Sequence, residues 1–387
     1  MMSRLEMSRD ADDDEVKGII DDIVLENADR HMPVKKKRDL ADSLFCSVRK
    51  LDILQELIDD PDVTEIMING PENIFIEKGG KLFRWNKKFS SVRKLEDVIQ
   101  QIVGKCNRVV NERIPIVDAR LSDGSRINAV ISPVALNGPI LTIRRFPEKP
   151  ITMTDLINYG SITPEAASFL KKLVRASYSI IISGGTSAGK TTFLNALSNY
   201  IEKDERIITI EDNAELQIQG IDNLVRLEAK SANMEGNTRI SIRDLIKSAL
   251  RMRPDRIIVG EVRGDEAVDL LQALNTGHDG SLSTIHANSA SDSTSRLETM
   301  VLMAFPLPLG AIRRQILSGV DIIVHLGRIK DHSRKVLEIS EVLEIQNEEL
   351  ILNPLFIWDI ESESLKKSND LKHIRKLEIS KAQGEKL

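Results

Sequence analysis

The feature that most constrains the fold of this chain is a glycine-rich segment, GGTSAGKTT, near the middle of the sequence. It follows an apolar run at 179–183 and precedes a helical pattern at 193–197. This order of strand, glycine-rich loop and helix is the context in which the pattern G-x-x-x-x-G-K-[ST] binds phosphate. Glycines let the backbone aim its N–H groups at an anion, and the helix N-terminus adds the positive end of a dipole. The segment therefore predicts a nucleotide site in an α/β fold.

Two side chains of this loop have specific expected roles. Lys190 can reach the β- and γ-phosphates of ATP, and Thr191 can place its hydroxyl on Mg²⁺. The residues expected to bind the nucleotide are Gly184, Gly185, Thr186, Ser187, Ala188, Gly189, Lys190, Thr191 and Thr192. The motif alone does not name a reaction, because switches, kinases, motors and transporters share it.

The charge balance argues against a protein that binds nucleic acid over a broad surface. The 387 residues include 54 Lys and Arg and 59 Asp and Glu, a net charge of −5. With three Tyr and two Trp, the chain also offers few aromatic platforms on which single-stranded bases could stack. We expect no nucleic-acid partner.

The compartment expected from the sequence is the cytoplasm. The two cysteines, Cys46 and Cys106, lack metal-ligand spacing and fit a reduced compartment better than a disulfide scaffold. No apolar run is long enough to span a bilayer, and the acidic N-terminus lacks the apolar region of a signal peptide. If the protein serves a membrane, we expect it to dock on the cytoplasmic face through partners.

The chain is long enough for two or three domains. We expect an acidic tail and helical segment at 1–50, an α+β domain at 51–147, and a linker at 148–155 marked by Pro147 and Pro150. From 156 to 360, strands and helices alternate, which predicts a mostly parallel sheet with helices on both faces. A charged tail with a loosely held helix is expected at 361–387. The main strands of the second domain are expected at 179–183, 206–210, 223–227, 256–260 and 282–286.

Two buried strands are expected to deliver carboxylates to the phosphate site. One ends in Glu261, and the other ends in Glu211 and Asp212, with Glu215 in the next turn. Ligands bind at the carboxyl ends of strands in open α/β sheets, where a carboxylate can hold Mg²⁺ or orient the attacking water. The alternatives are a surface acid at a strand end for Glu261, and helix-capping acids for Asp212 and Glu215.

Histidines and arginines add further candidates. His278 and His286 flank one predicted strand and could sense the γ-phosphate, although a lone histidine is more often a satisfied polar residue. No Cys or carboxylate accompanies them in zinc spacing. An arginine can also stabilise charge on a transferred phosphoryl group. The candidates before the linker are Arg120, Arg126, Arg144 and Arg145.

These motifs resemble those of the type II and type IV secretion ATPases, and most of all the CpaF-like ATPases of tight-adherence (Tad) pili. The similarity covers residues 50 to 357. Its longest segments are TEIMINGPENIFIEKGGKL (64–82), VDARLSDGSRINAV (117–130), SGGTSAGKTTFLNAL (183–197), ITIEDNAEL (208–216), LRMRPDRIIVGEVRGDEA (250–267) and TGHDGSLSTIHANS (276–289). The tetracysteine zinc module of some type II secretion ATPases is absent from the sequence, and the region before residue 50 matches poorly.

The resemblance implies a RecA-like P-loop ATPase core behind a PAS-like N-terminal domain, assembled as a homohexamer. By motif, Glu261 is the Walker B glutamate and a general base or water-positioning residue. Glu211, Asp212 and Glu215 form the Asp box, and His278 and His286 form the His box. Arg120 and Arg144 match arginines that reach the nucleotide phosphates, with Arg126 and Arg145 as further candidates. Thr191, Glu211 and Glu261 are the implied Mg²⁺ ligands, the two acids directly or through water.

The function expected from this family is a hexameric motor. ATP hydrolysis would swing the N-terminal domain against the P-loop domain and drive Tad pilus assembly or type II-like secretion through inner-membrane platform proteins. The main alternative is a traffic ATPase of a type IV secretion or conjugation system. A nucleic-acid motor of RecA type and a non-hydrolysing nucleotide switch are further alternatives. The direction of work, the pilin or secreted substrate and the ring symmetry are open from the sequence.

Overall fold

The computed structural model describes residues 12–29, 32–121, 123–145, 150–230, 239–331 and 333–382. Most of the acidic tail, the start of the expected linker and the last five residues lie outside these ranges. The chain divides into two compact units, Met1–Glu148 and Lys149–Leu387.

The amino-terminal unit is built around a six-stranded antiparallel sheet. The strand order is β3-β2-β1-β6-β5-β4. Helix α4 has one apolar face, and Leu95, Ile99 and Ile102 of that face are fully buried in the core of this unit. The elements are α1 (Asp13–Asn27), α2 (Val34–Arg49), α3 (Leu54–Asp59), β1 (Val63–Asn69), β2 (Ile74–Lys78), β3 (Lys81–Arg84), α4 (Val92–Lys105), β4 (Ile116–Arg120), β5 (Arg126–Val130) and β6 (Ile140–Arg144).

Helices α1 and α2 pack on each other through a small apolar cluster of their own. Val16, Ile20 and Val24 of α1 meet Ala41 and Phe45 of α2. The side chain of Asp12 caps α1 by accepting bonds from the second and third backbone N–H groups of the helix, a common way to satisfy free donors at a helix start. Helix α3 follows α2 after a break of four residues.

The carboxy-terminal unit contains a nine-stranded mixed sheet. The strand order is β15-β14-β13-β12-β7-β11-β10-β8-β9. The strands from β12 to β9 in this order run parallel, and β12 to β15 pair antiparallel. The elements are α5 (Met153–Asn158), α6 (Pro164–Arg175), β7 (Ile180–Gly184), α7 (Lys190–Ser198), β8 (Ile207–Glu211), β9 (Leu224–Glu228), α8 (Ile242–Ala249), β10 (Arg256–Val262), α9 (Ala267–Leu274), β11 (Leu282–Ile285), α10 (Ala290–Ala304), α11 (Leu309–Gly319), β12 (Ile322–Arg328), β13 (Arg334–Gln346), β14 (Glu349–Asp359), β15 (Ser364–Lys367) and α12 (Arg375–Ala382).

Helices cover both faces of this sheet. Ile180 and Ile182 of β7 pack with helices α5 to α7, whereas Ile181 belongs to the core that includes α8 to α11. Because successive side chains of a strand point to opposite faces, the alternation places these two cores on the two sides of the sheet. Both faces of β7 and β8 are buried, which explains why these strands are apolar along most of their length. The fold is the α/β architecture that the sequence predicts.

The first two helices of this unit begin with capping side chains. Thr163 caps α6 by accepting a bond from the N–H of Ala166, and Pro164 occupies the first helical position. The expected linker at 148–155 instead includes the start of α5, which Thr152 and Asp155 stabilise by reciprocal capping bonds.

The carboxy-terminal segment differs from the expected charged tail. Residues 364–367 form β15 and extend the sheet by pairing with β14. The following chain is held by buried polar contacts, including a hydrogen bond of 2.6 Å from the Tyr178 hydroxyl to the carbonyl of His373. The segment is therefore part of the folded unit through Ala382.

Candidate functional site

Four neighbouring parallel strands bring the predicted site residues to one edge of the sheet. In the order β7-β11-β10-β8, the strands lead into the phosphate-binding loop, His286, Glu261 and Glu211. Because all four run in the same direction, their carboxyl ends lie side by side. Residues separated by up to a hundred positions in the sequence thus meet at one place.

The loop adopts a conformation that depends on its glycines. Gly184 has φ +153°, and a Cβ at this position would lie 2.5 Å from the carbonyl oxygen of Leu326 on β12. Gly189 has φ +92° and stands at the N-cap of α7. Ser187, between them, is left-handed with φ +59°. The backbone therefore turns back on itself directly before a helix N-terminus, an arrangement that suits anion binding.

Lys190 is largely buried and lies over this loop. Its Nζ donates to the carbonyl of Gly185 at 3.2 Å and lies 3.2 Å from Nδ1 of His286. Burial lowers the pKa of Lys190, and Arg263 acts in the same direction, whereas the nearby Glu261 raises it. The ammonium group is thus held at the centre of the candidate site.

Glu261 lies between an arginine and a histidine. Nε and Nη2 of Arg263 donate to its Oε2 at 2.8 and 2.6 Å. Nε2 of His286 lies 2.6 Å from Oε1, although Oε1 has no partner with hydrogen-bond geometry among the described residues. Sequence reasoning missed Arg263. The available signal was that Arg263 lies two residues after Glu261, because residues two apart share one face of a strand.

His286 links Lys190 to Glu261. Burial lowers the pKa of this imidazole, and the positive charges of Lys190 and Arg263 lower it further, while Glu261 raises it. These effects favour the neutral ring at pH 7, which can donate from one nitrogen and accept at the other. His286 is thus placed to respond to charge on either neighbour.

Glu211 is a buried carboxyl with one unused oxygen. The residue is 3% exposed, and its Oε1 accepts bonds from the N–H groups of Glu215 and Leu216 at 2.8 and 2.9 Å. Oε2 is buried and has no partner among the described residues. Burial raises the pKa of Glu211 to about 7, against the two N–H bonds that lower it. Gly260 makes room for this side chain, because a Cβ there would lie 3.0 Å from Cγ of Glu211.

This unused oxygen is the observation that fits a cation or an ordered water. Buried acceptors without partners are uncommon in proteins, and carboxylate oxygens are preferred Mg²⁺ ligands. Asp212 is exposed beside Glu211, and both Asp212 and Glu215 interact electrostatically with Arg263. Within the described ranges, no group of three or more His, Cys, Asp or Glu residues converges as a metal cage.

His278 does not lie with the other residues predicted to bind the nucleotide. It precedes β11, whose first residue, Leu282, pairs with Ile180 at the amino end of β7. The phosphate-binding loop leaves the opposite end of β7. A four-residue strand spans about 13 Å, so His278 and the loop belong to opposite edges of the sheet. Its Nδ1 lies 3.2 Å from the carbonyl of Ala273.

A second histidine beside the loop was missed. His325 on β12 is 7% exposed, and its Nδ1 lies 3.0 Å from the hydroxyl of Ser183, the residue before Gly184. Burial lowers the pKa of His325, opposed by Glu338 and Asp292. Nothing in the local sequence distinguishes it, because the pairing of β12 with β7 is what brings it here.

Three predicted arginines of the amino-terminal unit form a row on one face of its sheet. Arg120 pairs with Arg126 across β4 and β5, and Arg126 pairs with Arg144 across β5 and β6. Glu65 on β1 is opposite Arg144. Like charges directly opposite each other in a sheet are unfavourable.

Arg145 has a different place from the one expected. As the next residue after Arg144, it points to the other side of the strand. Its Nη1 donates to the carbonyls of Asp60 and Val63. These contacts tie α3 to β1 and give Arg145 a structural role within its own unit.

Comparison with known proteins agrees with this geometry. Residues 48–366 match the family described as type II/IV secretion system protein. A putative conjugal transfer protein of Mycobacterium tuberculosis is 35% identical, over 74% of this chain and 83% of its own length. The probable conjugal transfer protein TrbB of Sinorhizobium fredii is 33% identical, over 84% of this chain and 97% of its own.

A solved structure supports the fold. The pilus retraction motor PilT with bound ADP has a TM-score of 0.54 and 19% identity, covering 86% of this chain and 87% of its own. In the part of the chain that the structure describes, no helix is both long and apolar enough to cross a bilayer. The family match, the two relatives and the shared α/β architecture lead to one conclusion: this chain belongs to the type II/IV secretion system protein family.

Proposed function

We propose that this protein hydrolyses ATP to ADP and phosphate and acts as the motor of a secretion or pilus machine. The observation that carries the proposal is the convergence of the phosphate-binding loop, Glu261 and the buried Glu211 at one sheet edge. A non-hydrolysing nucleotide switch needs the loop but has no need for an acid beside it that positions water. The presence of Glu211 and Glu261 beside the loop therefore favours hydrolysis over nucleotide binding alone.

The residues divide the chemistry among them. Loop N–H groups and Lys190 hold the phosphates, and Glu261 orients the attacking water or accepts its proton. Mg²⁺ would be held by the Thr191 hydroxyl and by Glu211 and Glu261, directly or through water. When bound, the ion neutralises developing phosphate charge. Arg120 and Arg144 are proposed to supply further positive charge to the phosphates, with Arg126 beside them.

Steady-state ATP hydrolysis by the full-length protein tests this proposal. Glu261→Gln should retain nucleotide binding and lower kcat by about 10²–10³, within the range that general-base catalysis contributes. Lys190→Ala should also weaken binding of a fluorescent ATP analogue. His278→Ala is the matched control, because it changes a histidine of the same domain at the opposite sheet edge. Absence of ATP hydrolysis by the wild-type protein would refute the proposal, and wild-type hydrolysis by Glu261→Gln would refute the role given to Glu261.

The machine that this motor serves has two candidates. The motif similarity favours a Tad pilus or type II-like secretion system. The conjugal transfer relatives favour a type IV secretion or conjugation system at least as strongly. Neighbouring genes for prepilins and two Tad-type platform proteins would support the first. Neighbouring genes for other conjugation components would support the second.

The proposed assembly is a homohexamer on the cytoplasmic side of the membrane, docked through platform proteins. In this proposal the two units move against each other during the ATP cycle. Light scattering of the purified protein with and without a non-hydrolysed ATP analogue measures the assembly. A mass that stays at one subunit under both conditions, at micromolar concentration, contradicts the ring.

A further inference from the structure

The start of strand β13 contacts the phosphate-binding loop. Nε of Arg334 donates a hydrogen bond of 3.0 Å to the carbonyl oxygen of Ser187. Cδ of the same side chain would lie 3.3 Å from a Cβ placed on Gly189. Arg334 therefore bonds to one left-handed residue in the second half of the loop, Ser187 at φ +59°, and lies beside another, Gly189 at φ +92°.

This contact fixes the direction of one backbone N–H group. In a trans peptide the C=O and the following N–H point in opposite directions. With the Ser187 carbonyl directed at Arg334, the N–H of Ala188 points into the loop, where it reaches the carbonyl of Gly185 at 3.3 Å. Non-glycine residues hold a left-handed conformation only when their surroundings impose it. Arg334 is a side chain that imposes it here.

The position of Arg334 is itself fixed by the next two residues. Nζ of Lys335 donates to the carbonyl of Gly160 at 2.8 Å, and the N–H of Val336 donates to the carbonyl of Ser161 at 2.8 Å. The Lys335 ammonium also lies 5.8 Å from the centre of the Trp358 ring. These contacts anchor the strand end to the turn after α5, so Arg334 approaches the loop from a rigid base.

We propose that Arg334 is a positioning residue for the nucleotide: it holds the Ser187–Ala188 peptide, and with it the left-handed turn before α7, in the conformation that binds the phosphates. Its positive charge also adds to the potential at the loop. The inference rests on the proposed ATPase function, and it assigns a role to a residue outside the phosphate-binding motif. Because the loop holds the phosphates both before the reaction and in the transition state, the loss of Arg334 affects nucleotide affinity more than the chemical step.

The test measures binding and turnover separately in the full-length protein. Arg334→Ala should raise both the Kd for a fluorescent ATP analogue and the KM for ATP about 10-fold, the loss of one charge-assisted hydrogen bond, with kcat changed less. Arg334→Lys should recover part of the affinity, since it keeps the charge and one donor. Arg334→Gln keeps a donor without the charge and separates the two contributions.

The control is Arg328→Ala. Arg328 pairs with Arg334 across β12 and β13 and is exposed, so the variant removes the same charge from the same hairpin without touching Ser187. It should leave Kd and KM near the wild-type values. The melting temperature without nucleotide shows whether each variant folds, and Arg334→Gln and Arg334→Lys carry the test if Arg334→Ala does not.

Three results would overturn the inference. Wild-type Kd and KM in both Arg334→Ala and Arg334→Gln would show that the contact does not serve the nucleotide. An equal loss in Arg328→Ala would show that only the overall charge matters. A wild-type protein that binds the analogue but does not hydrolyse ATP refutes the proposed function alone, because the Kd comparison still decides the role of Arg334. A wild-type protein that binds no nucleotide refutes both.

Discussion

Arg263 donates two hydrogen bonds to a single oxygen of Glu261, from Nε at 2.8 Å and from Nη2 at 2.6 Å. Both donors converge on Oε2, so the other oxygen is directed toward His286, whose Nε2 lies 2.6 Å away. The hydrogen bonds to Glu261 raise the pKa of Arg263, which keeps the guanidinium charged. The acid that we propose as the base is thus oriented by a neighbour two residues away.

Replacing Arg263 should therefore lower kcat without abolishing nucleotide binding. We expect Arg263→Ala to reduce kcat about 10-fold, because Glu261 loses its orientation but remains present. Arg263→Lys should recover only part of the rate, since an ammonium group lacks the two-donor geometry of guanidinium. Steady-state kinetics with a parallel binding measurement check this. A wild-type kcat in Arg263→Ala would show that Glu261 needs no such support.

The raised pKa of Glu211 predicts a pH-dependent stability in the protein without nucleotide. Burial raises this pKa from 4.5 to about 7, so between these values the folded state keeps a proton that the unfolded state has released. The resulting stabilisation is complete below pH 4.5 and is lost as the pH rises through 7. Linkage predicts that the contribution of Glu211 to the free energy of unfolding of the wild type falls by about 2 kcal/mol between pH 5.5 and 8.5.

Glu211→Gln isolates this effect because it stays neutral. The difference between the free energies of unfolding of Glu211→Gln and of wild type should therefore increase by about 2 kcal/mol, in favour of the variant, as the pH rises from 5.5 to 8.5. Chemical denaturation in the presence of EDTA, at several pH values, measures the difference. Parallel pH curves for the two proteins would contradict the burial of a titrating carboxyl.

Two adjacent glycines of the loop should respond differently to alanine. At Gly184 the new Cβ would lie 2.5 Å from the Leu326 carbonyl oxygen, and φ is +153°; at Gly185 nothing lies within 4 Å. We expect Gly184→Ala to cost at least about 2 kcal/mol of folding free energy. Gly185→Ala should change it by less than about 0.5 kcal/mol. Unfolding in denaturant without nucleotide measures both, and equal losses would contradict the close approach of β12 to the loop.

Much of the carboxy-terminal sheet could be predicted because its strands carry local signals. Apolar runs such as Ile207–Ile210 end in acids, and parallel strands place those ends together, so Glu211 and Glu261 could be brought to the loop without a structure. The position of Gly260 next to Glu211 follows from the same register. These inferences need only the spacing along each strand and the common direction of the strands.

Contacts that depend on strand order could not be predicted in the same way. His278 and His286 are close in the sequence, yet β11 separates them to opposite sheet edges. Conversely, Arg334 reaches Ser187 across 147 positions, because β12 lies next to β7. The order of the strands is set by packing of the whole sheet, and no local pattern in the hairpin encodes it.

The contacts of the carboxy-terminal segment could not be predicted from its sequence. Its composition is charged, which is typical of a solvated tail. In the structure, one buried carboxylate holds it. Glu341 on β13 is 1% exposed and accepts bonds from the N–H groups of Lys372 and His373 at 3.0 and 2.7 Å, and from the side chain of Asn353 at 2.9 Å.

Removing this carboxylate should release the segment. Glu341→Ala removes the acceptor of the N–H groups of Lys372 and His373 and of the Asn353 side chain, and we expect a loss of about 3 kcal/mol in folding free energy. Limited proteolysis should then cut between 368 and 374 while the rest of the domain stays resistant. Glu341→Gln keeps an acceptor oxygen and should lose less.

Glu344→Ala is the control, because Glu344 is an exposed acid on the same strand. It should leave both the denaturation curve and the cleavage pattern unchanged, since an exposed substitution without a described buried contact usually changes stability by less than about 0.5 kcal/mol. If Glu341→Ala resists proteolysis as wild type does, then the other contacts of the segment are sufficient to hold it, among them those of 2.7 Å from Lys376 to Asp279 and Asp321. In that case Lys376→Ala, combined with Glu341→Ala, should be needed to free it.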